Sequence, residues 1–138
     1  MDVSLVDIIG VKRDWETHHR VRALAIDGGS DAIKGIRDLQ KRHKDDFEKL
    51  LRVLKVVASN DRVLNPHHIK QGKRYKEVYE IRAGHARLFF FYTPDAKEVV
   101  VCTNHYWKSK DSEQEQDAQF RRCETLRLLY LNSIGSKP

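Results

Sequence analysis

Residues 73 to 110 read KRYKEVYEIRAGHARLFFFYTPDAKEVVVCTNHYWKSK, and this pattern leaves little choice but a β-meander. Tyr75 to Arg82 alternates loosely, Ala83-Gly84-His85 is a tight turn, and Ala86 to Thr93 is almost entirely β-forming. Pro94-Asp95-Ala96-Lys97 makes a four-residue hairpin loop. Glu98 to Tyr106 (EVVVCTNHY) is another strand, continuous enough to be central and buried on both faces. A sheet tolerates cations on a solvated face, yet Arg82 and Arg87 sit inside the strand patterns themselves.

Upstream, Val21 to Ile26 is a further strand, stopped by Asp27-Gly28-Gly29-Ser30. Ser30 or Asp31 can N-cap a helix through about Leu39. Phe47, Leu50, Leu51, Leu54, Val57 and Ala58 recur at three- and four-residue spacing, which defines a second helix. Asn60-Asp61 ends it, and Asn65-Pro66 marks a loop. After the polar stretch DSEQEQ, Ala118 to Leu131 reads as a helix with Phe120, Cys123, Leu126 or Arg127, and Tyr130 along its apolar stripe. Residues 1 to 14 fit either a strand or a helical turn. The order β, α-α, β-β-β, α predicts an α+β fold: an antiparallel meander with an N-terminal strand, packed against a helical hairpin and a C-terminal helix. The chain is expected to form one domain, 1–138, with 1–19 as an N-terminal extension.

The 138 residues carry a formal charge of +6 before any of the seven histidines protonates, a balance that favours polyanionic partners. Cys102 and Cys123 are isolated and read as buried, reduced thiols. The N-terminus has no basic region leading into a long apolar run, and no stretch approaches the roughly 18 apolar residues of a membrane span. A cytoplasmic protein without a membrane partner is expected. His18-His19 and His67-His68 lack the spacing of metal ligands, and no Gly-rich phosphate loop, nucleophile elbow or carboxylate cluster is visible. Neither a metal nor a cofactor is expected.

Three stretches, Tyr79-Glu80-Ile81-Arg82, Gly84-x-x-Arg87-Leu88-Phe89-Phe90-Phe91, and Val99-Val100-Val101 leading to Asn104-His105-Tyr106-Trp107-Lys108, carry a resemblance in this order. Together with the upstream helical hairpin, the chain from about residue 20 to 131 resembles the RelE/ParE toxin superfamily, in its HigB-like, phage-derived branch. The resemblance implies a small basic toxin of a type II toxin–antitoxin system, which either cuts mRNA on the ribosome or, in ParE-type members, poisons DNA gyrase. It also implies an antitoxin partner, often a helix-turn-helix protein. A degenerate, non-catalytic nucleic-acid-binding member is the third reading. The family's double lysine after the aromatic element is here Lys108-Ser109-Lys110.

Metal-independent RNA cleavage uses the substrate's own 2′-OH as nucleophile and needs a base, an acid, and cations around the phosphorus. Arg87 is the candidate for phosphate stabilisation, since a guanidinium binds two non-bridging oxygens at once. A structural ion pair with Glu77 or Glu80 is its other reading. Arg82 either joins Arg87 across the hairpin or pairs with Glu80. Tyr106 and His105 are the acid/base candidates, and alternation lets only one of them share the face of Arg87. Histidine has the better intrinsic pKa, whereas tyrosine needs a neighbour such as Arg87 or Lys108 to lower its own. The resemblance favours the aromatic position, hence Tyr106. Lys70, Lys73, Arg74, Lys108 and Lys110 are candidate RNA-backbone contacts. Trp107 can stack a base, and Phe89, Phe90 and Phe91 read as core.

Overall fold

The meander occupies one half of a larger sheet. In the computed structural model, which describes residues 1–62, 67–95, 97–109 and 112–135, six strands form a single sheet. They are β1 (Val3–Asp7), β2 (Val21–Ile26), β3 (Ile69–Gln71), β4 (Val78–Ala83), β5 (Ala86–Tyr92) and β6 (Val100–Trp107). Their spatial order is β1-β2-β6-β5-β4-β3. Every neighbouring pair is antiparallel except β2 and β6, which run parallel. Helices α1 (Asp31–Arg42) and α2 (Lys44–Ser59) supply the crossover from β2 and cover one face. Helix α3 (Glu113–Ser133) covers the other.

The apolar run at the start of β6 explains its central place, because Val100, Val101 and Cys102 are buried between both helical layers. The three phenylalanines of β5 are divided by simple alternation. Phe90 joins Tyr79, Tyr92 and the α1/α2 residues Leu39, Leu50 and Leu54. Phe89 and Phe91 pack instead with Phe120, Cys123 and Tyr130 of α3. All three rings are fully buried, so the aromatic content of this strand is core. Both cysteines are free and buried, as expected. Burial pushes their thiols upward, that of Cys123 to about 12, which makes them inert at neutral pH.

Ser30 caps α1 by accepting the Ile33 N–H at 3.2 Å. Gly35 lets α1 lie close on β6, where a Cβ would stand 2.1 Å from the ring of His105. One element settles an open alternative of the sequence reading, and two depart from it. Residues 3–7 of the N-terminal extension form β1, an edge strand paired with β2 from Val3↔Ile26 to Asp7↔Arg22. The short β3, in a stretch to which the sequence reading assigns no element, pairs with β4 and places Lys70 opposite Glu80. Helix α3 starts at Glu113 under a Ser112 cap, so most of DSEQEQ is its first turn. Asn65-Pro66 and Ala96 lie outside the described residues. Among the described residues, no helix is long and apolar enough to cross a membrane.

Candidate nucleic-acid interface

Four adjacent strands bring Lys70, Arg82, Arg87 and Tyr106 to one face of the sheet. Register aligns Arg82 of β4 with Arg87 of β5, and Arg87 with Tyr106 of β6. Nearby, Lys70, Glu80 and Phe89 form a second row across β3, β4 and β5. Directly opposed residues stand about 5 Å apart, so the two rows make a continuous patch beside the start of α3.

Two guanidiniums opposed across a hairpin repel each other, and Glu80 offsets this. Its side chain is fully buried, and Oε1 accepts from Arg82 Nε at 2.9 Å and from Gln116 Nε2 at 3.0 Å. Both readings of Arg82 are therefore realised: it opposes Arg87 and it pairs with Glu80. Arg87 makes no ion pair with Glu80. Its Nη1 donates to the carbonyls of Gly84 and Ala86 at 2.7 and 2.9 Å. Gly84 adopts a φ of +61°, which the tight turn before Arg87 requires. Arg87 Nε and Glu80 Oε2 are buried without a hydrogen-bond partner in this patch.

Burial lowers the pKa of Arg87, although Glu80 and Tyr106 oppose that shift, and a guanidinium stays charged regardless. Burial also lowers that of Lys70, helped by repulsion from Arg82 and Lys73. A phosphate placed here would relieve both.

Tyr106 shares this patch and stacks on Phe89, with centroids 5.9 Å apart. His105 does not. Its Nδ1 and its backbone N–H both meet Asp31 Oδ2 at 3.0 Å, on the α1 face. A bulge decides which residue goes where. Leu88 pairs with His105 and Phe90 with Cys102, so Phe89 faces two residues, Thr103 and Asn104. Both of those bond to α3, Thr103 to Cys123 Sγ at 3.1 Å and Asn104 to Gln119 Oε1 at 2.9 Å. Alternation thus restarts one residue later and turns Tyr106, rather than His105, toward Arg87.

The sequence reading requires cations to lower the pKa of Tyr106, and the structure corrects it. Burial, reinforced by Glu80, raises that pKa, and Arg87 and Arg82 only partly oppose the rise. The phenol is a proton donor at neutral pH, not a base. For Asp31, burial pushes the carboxyl up, but the two hydrogen bonds from His105 outweigh it and the net shift is downward. Its contribution to stability is complete above the unfolded value of about 4 and is lost as pH falls through the lower folded value. Asp31→Asn is therefore expected to cost about 1 kcal/mol at pH 7, a figure discounted for partial exposure. The gap to wild type should narrow as pH falls below about 4, as denaturant melts at pH 7 and across that acid range would show.

The remaining candidates divide between two places. Lys70, Lys73 and Arg74 line a cleft of about 330 Å³ against α3, together with Glu113, Gln114, Gln116, Asp117 and Phe120. Arg74 reaches Asp117 at 3.6 Å. Trp107 lies on the opposite face from Arg87, with its ring stacked on His43 and His85 at 4.0 and 5.0 Å. Lys108 follows it, and its backbone exchanges hydrogen bonds with His85. Lys110 lies outside the described residues. Sequence reasoning named Glu80 as a partner for Arg82 but missed Gln116, which bonds the same carboxylate oxygen from α3.

Residues 34–131 match the model of the family described as phage derived protein Gp49-like (DUF891). The chain belongs to that family. The match runs from α1 into the last turns of α3 and takes in the whole of the Gp49-like patch, from Lys70 to Gln116. At the level of the family the chain is toxin-like. No curated protein matches it.

Proposed function

We propose that this Gp49-like chain is a RelE/HigB-type toxin of a type II toxin–antitoxin pair and cleaves mRNA on the ribosome without a metal. The Arg82–Arg87–Tyr106 row carries this reading, because it sets two guanidiniums and a protonated phenol side by side on one face. Arg87, seconded by Arg82, would hold the non-bridging oxygens as charge builds on phosphorus. Tyr106 would protonate the departing 5′-oxygen. The 2′-OH proton would pass to a base outside this row, from water or the ribosome. Lys70, Lys73 and Arg74 would grip the flanking phosphates, in a contact weakened by salt.

In this reading an acidic surface of the antitoxin, a helix-turn-helix protein, covers the patch and cancels its charge. Tyr106→Phe keeps the stack on Phe89 and removes only the transferable proton. It is expected to slow cleavage about a hundredfold while the melting temperature stays near that of wild type. Mapping mRNA 5′ ends after induction without antitoxin tests the reaction itself. New ends within translated codons support it, and a supercoiling assay in which the protein traps cleaved DNA would replace it with gyrase poisoning.

A further inference from the structure

Away from this patch, three chain segments bring metal-ligating side chains together that no spacing in the sequence connects. The backbone N–H groups of His18 and His19 both donate to the Ala58 carbonyl at 3.0 Å, which ties the approach to β2 to the end of α2. The Val100 N–H donates to the Arg20 carbonyl at 2.8 Å, which brings the start of β6 to the same place. As a result His19, Asp61 and Glu98 each present a ligand atom, all within 4.8 Å of one another.

His19 is the informative member. It is 5% exposed, and its Nδ1 contacts the Glu98 carbonyl at 3.0 Å. A carbonyl only accepts, so Nδ1 carries a proton, and in the neutral imidazole Nε2 keeps a lone pair. That Nε2 is buried and has no hydrogen-bond partner. An imidazole fixed by a carbonyl at one nitrogen, with the other left open as a ligand, is the arrangement found at metal centres.

We propose that His19, Asp61 and Glu98 form a structural zinc site with water as the fourth ligand. One nitrogen and two carboxylate oxygens suit Zn²⁺, whereas Mg²⁺ and Ca²⁺ prefer oxygen alone. Bonds of about 2.1 Å in a tetrahedron place ligand atoms roughly 3.4 Å apart, so from separations of up to 4.8 Å the side chains must close by up to about 1.4 Å. The exposed Asp61 at the end of α2 can make that movement by side-chain rotation. Arg62 now occupies Glu98, with Nε 3.1 Å from Oε2, and lies over the Tyr92 ring at 4.6 Å. It is the cation that zinc displaces. Glu98 and Tyr106 are eight residues apart along an extended chain, about 25 Å, so the ion would clamp the fold without touching the Arg87 patch. The site does not depend on the toxin reading.

Untagged protein stripped with chelator and titrated calorimetrically with zinc chloride tests it. One saturable equivalent is expected, with the melting temperature raised by about 5 °C or more at a hundredfold excess over Kd. Mg²⁺ should give neither effect. Asp61→Asn and Glu98→Gln should each weaken binding at least tenfold, His18→Gln should leave it unchanged, and Arg62→Gln should strengthen it. His19→Gln should abolish it; because that residue is buried, Asp61→Asn serves as the deciding variant if His19→Gln does not fold. Binding that fails to saturate, or that survives both carboxylate changes, would show adventitious surface histidines and overturn the site. Growth arrest by Asp61→Asn should match wild type, which keeps this test separate from that of the toxin reading.

Discussion

Arg87→Ala is expected to abolish growth arrest on induction while the protein stays folded and soluble. On the proposed mechanism the Arg87 guanidinium would face a developing phosphorane, where its loss should cost at least the hundred- to thousandfold of one oxyanion donor, and more where two parallel N–H groups act together. The structural cost is smaller. Arg87 donates to two turn carbonyls, Gly84 and Ala86, at a partly solvated position, and water can take over both. Arg87→Lys keeps the charge but loses the fork, so it should recover only part of the activity. Colony counts after induction, with circular dichroism of each purified variant, separate the two effects. A fully toxic Arg87→Ala would remove the patch from consideration as the active site.

Glu80→Ala is expected to have the largest effect on stability, about 3 kcal/mol, because it breaks a buried pair from one side. The change strips Arg82 Nε and Gln116 Nε2 of their shared acceptor and leaves two guanidiniums facing each other across β4 and β5. At this chain length that is roughly a 10 °C fall in Tm. Glu80→Gln retains the shape and should fall less. Phosphate at tens of millimolar should restore part of the loss in Glu80→Ala, since it supplies the missing negative charge, whereas chloride at equal ionic strength should not. A Glu80→Ala protein that melts at the wild-type temperature would contradict the electrostatic account of the whole patch.

Much of this patch is legible in the sequence because a strand has a period of two. Alternation alone puts Arg87, Phe89 and Phe91 on one face, and the structure places them so. The apolar run of β6 announces a central strand, and the spacing of Phe47, Leu50, Leu54 and Val57 announces α2. What stays hidden depends on partners distant in sequence. β3 is three residues long and exists only because β4 lies beside it. β1 is legible as a strand or a turn, and its pairing with β2 settles which. The direction of the Tyr106 shift follows from burial beneath α3 and the nearness of Glu80, neither of which local sequence reveals. His19, Asp61 and Glu98 come from three segments whose meeting is fixed by backbone hydrogen bonds.

The extra residue in β6 has a wider meaning. If the strand ran evenly from Val100 to Trp107, an imidazole would look toward Arg87 and the phenol would look away. One sequence thus encodes two possible reagents, and a one-residue slip exchanges them. The choice is enforced by Asn104, whose amide bonds the carbonyl and side chain of Gln119 at 3.1 and 2.9 Å. A fastening remote from that row therefore decides whether a phenol or an imidazole faces Arg87.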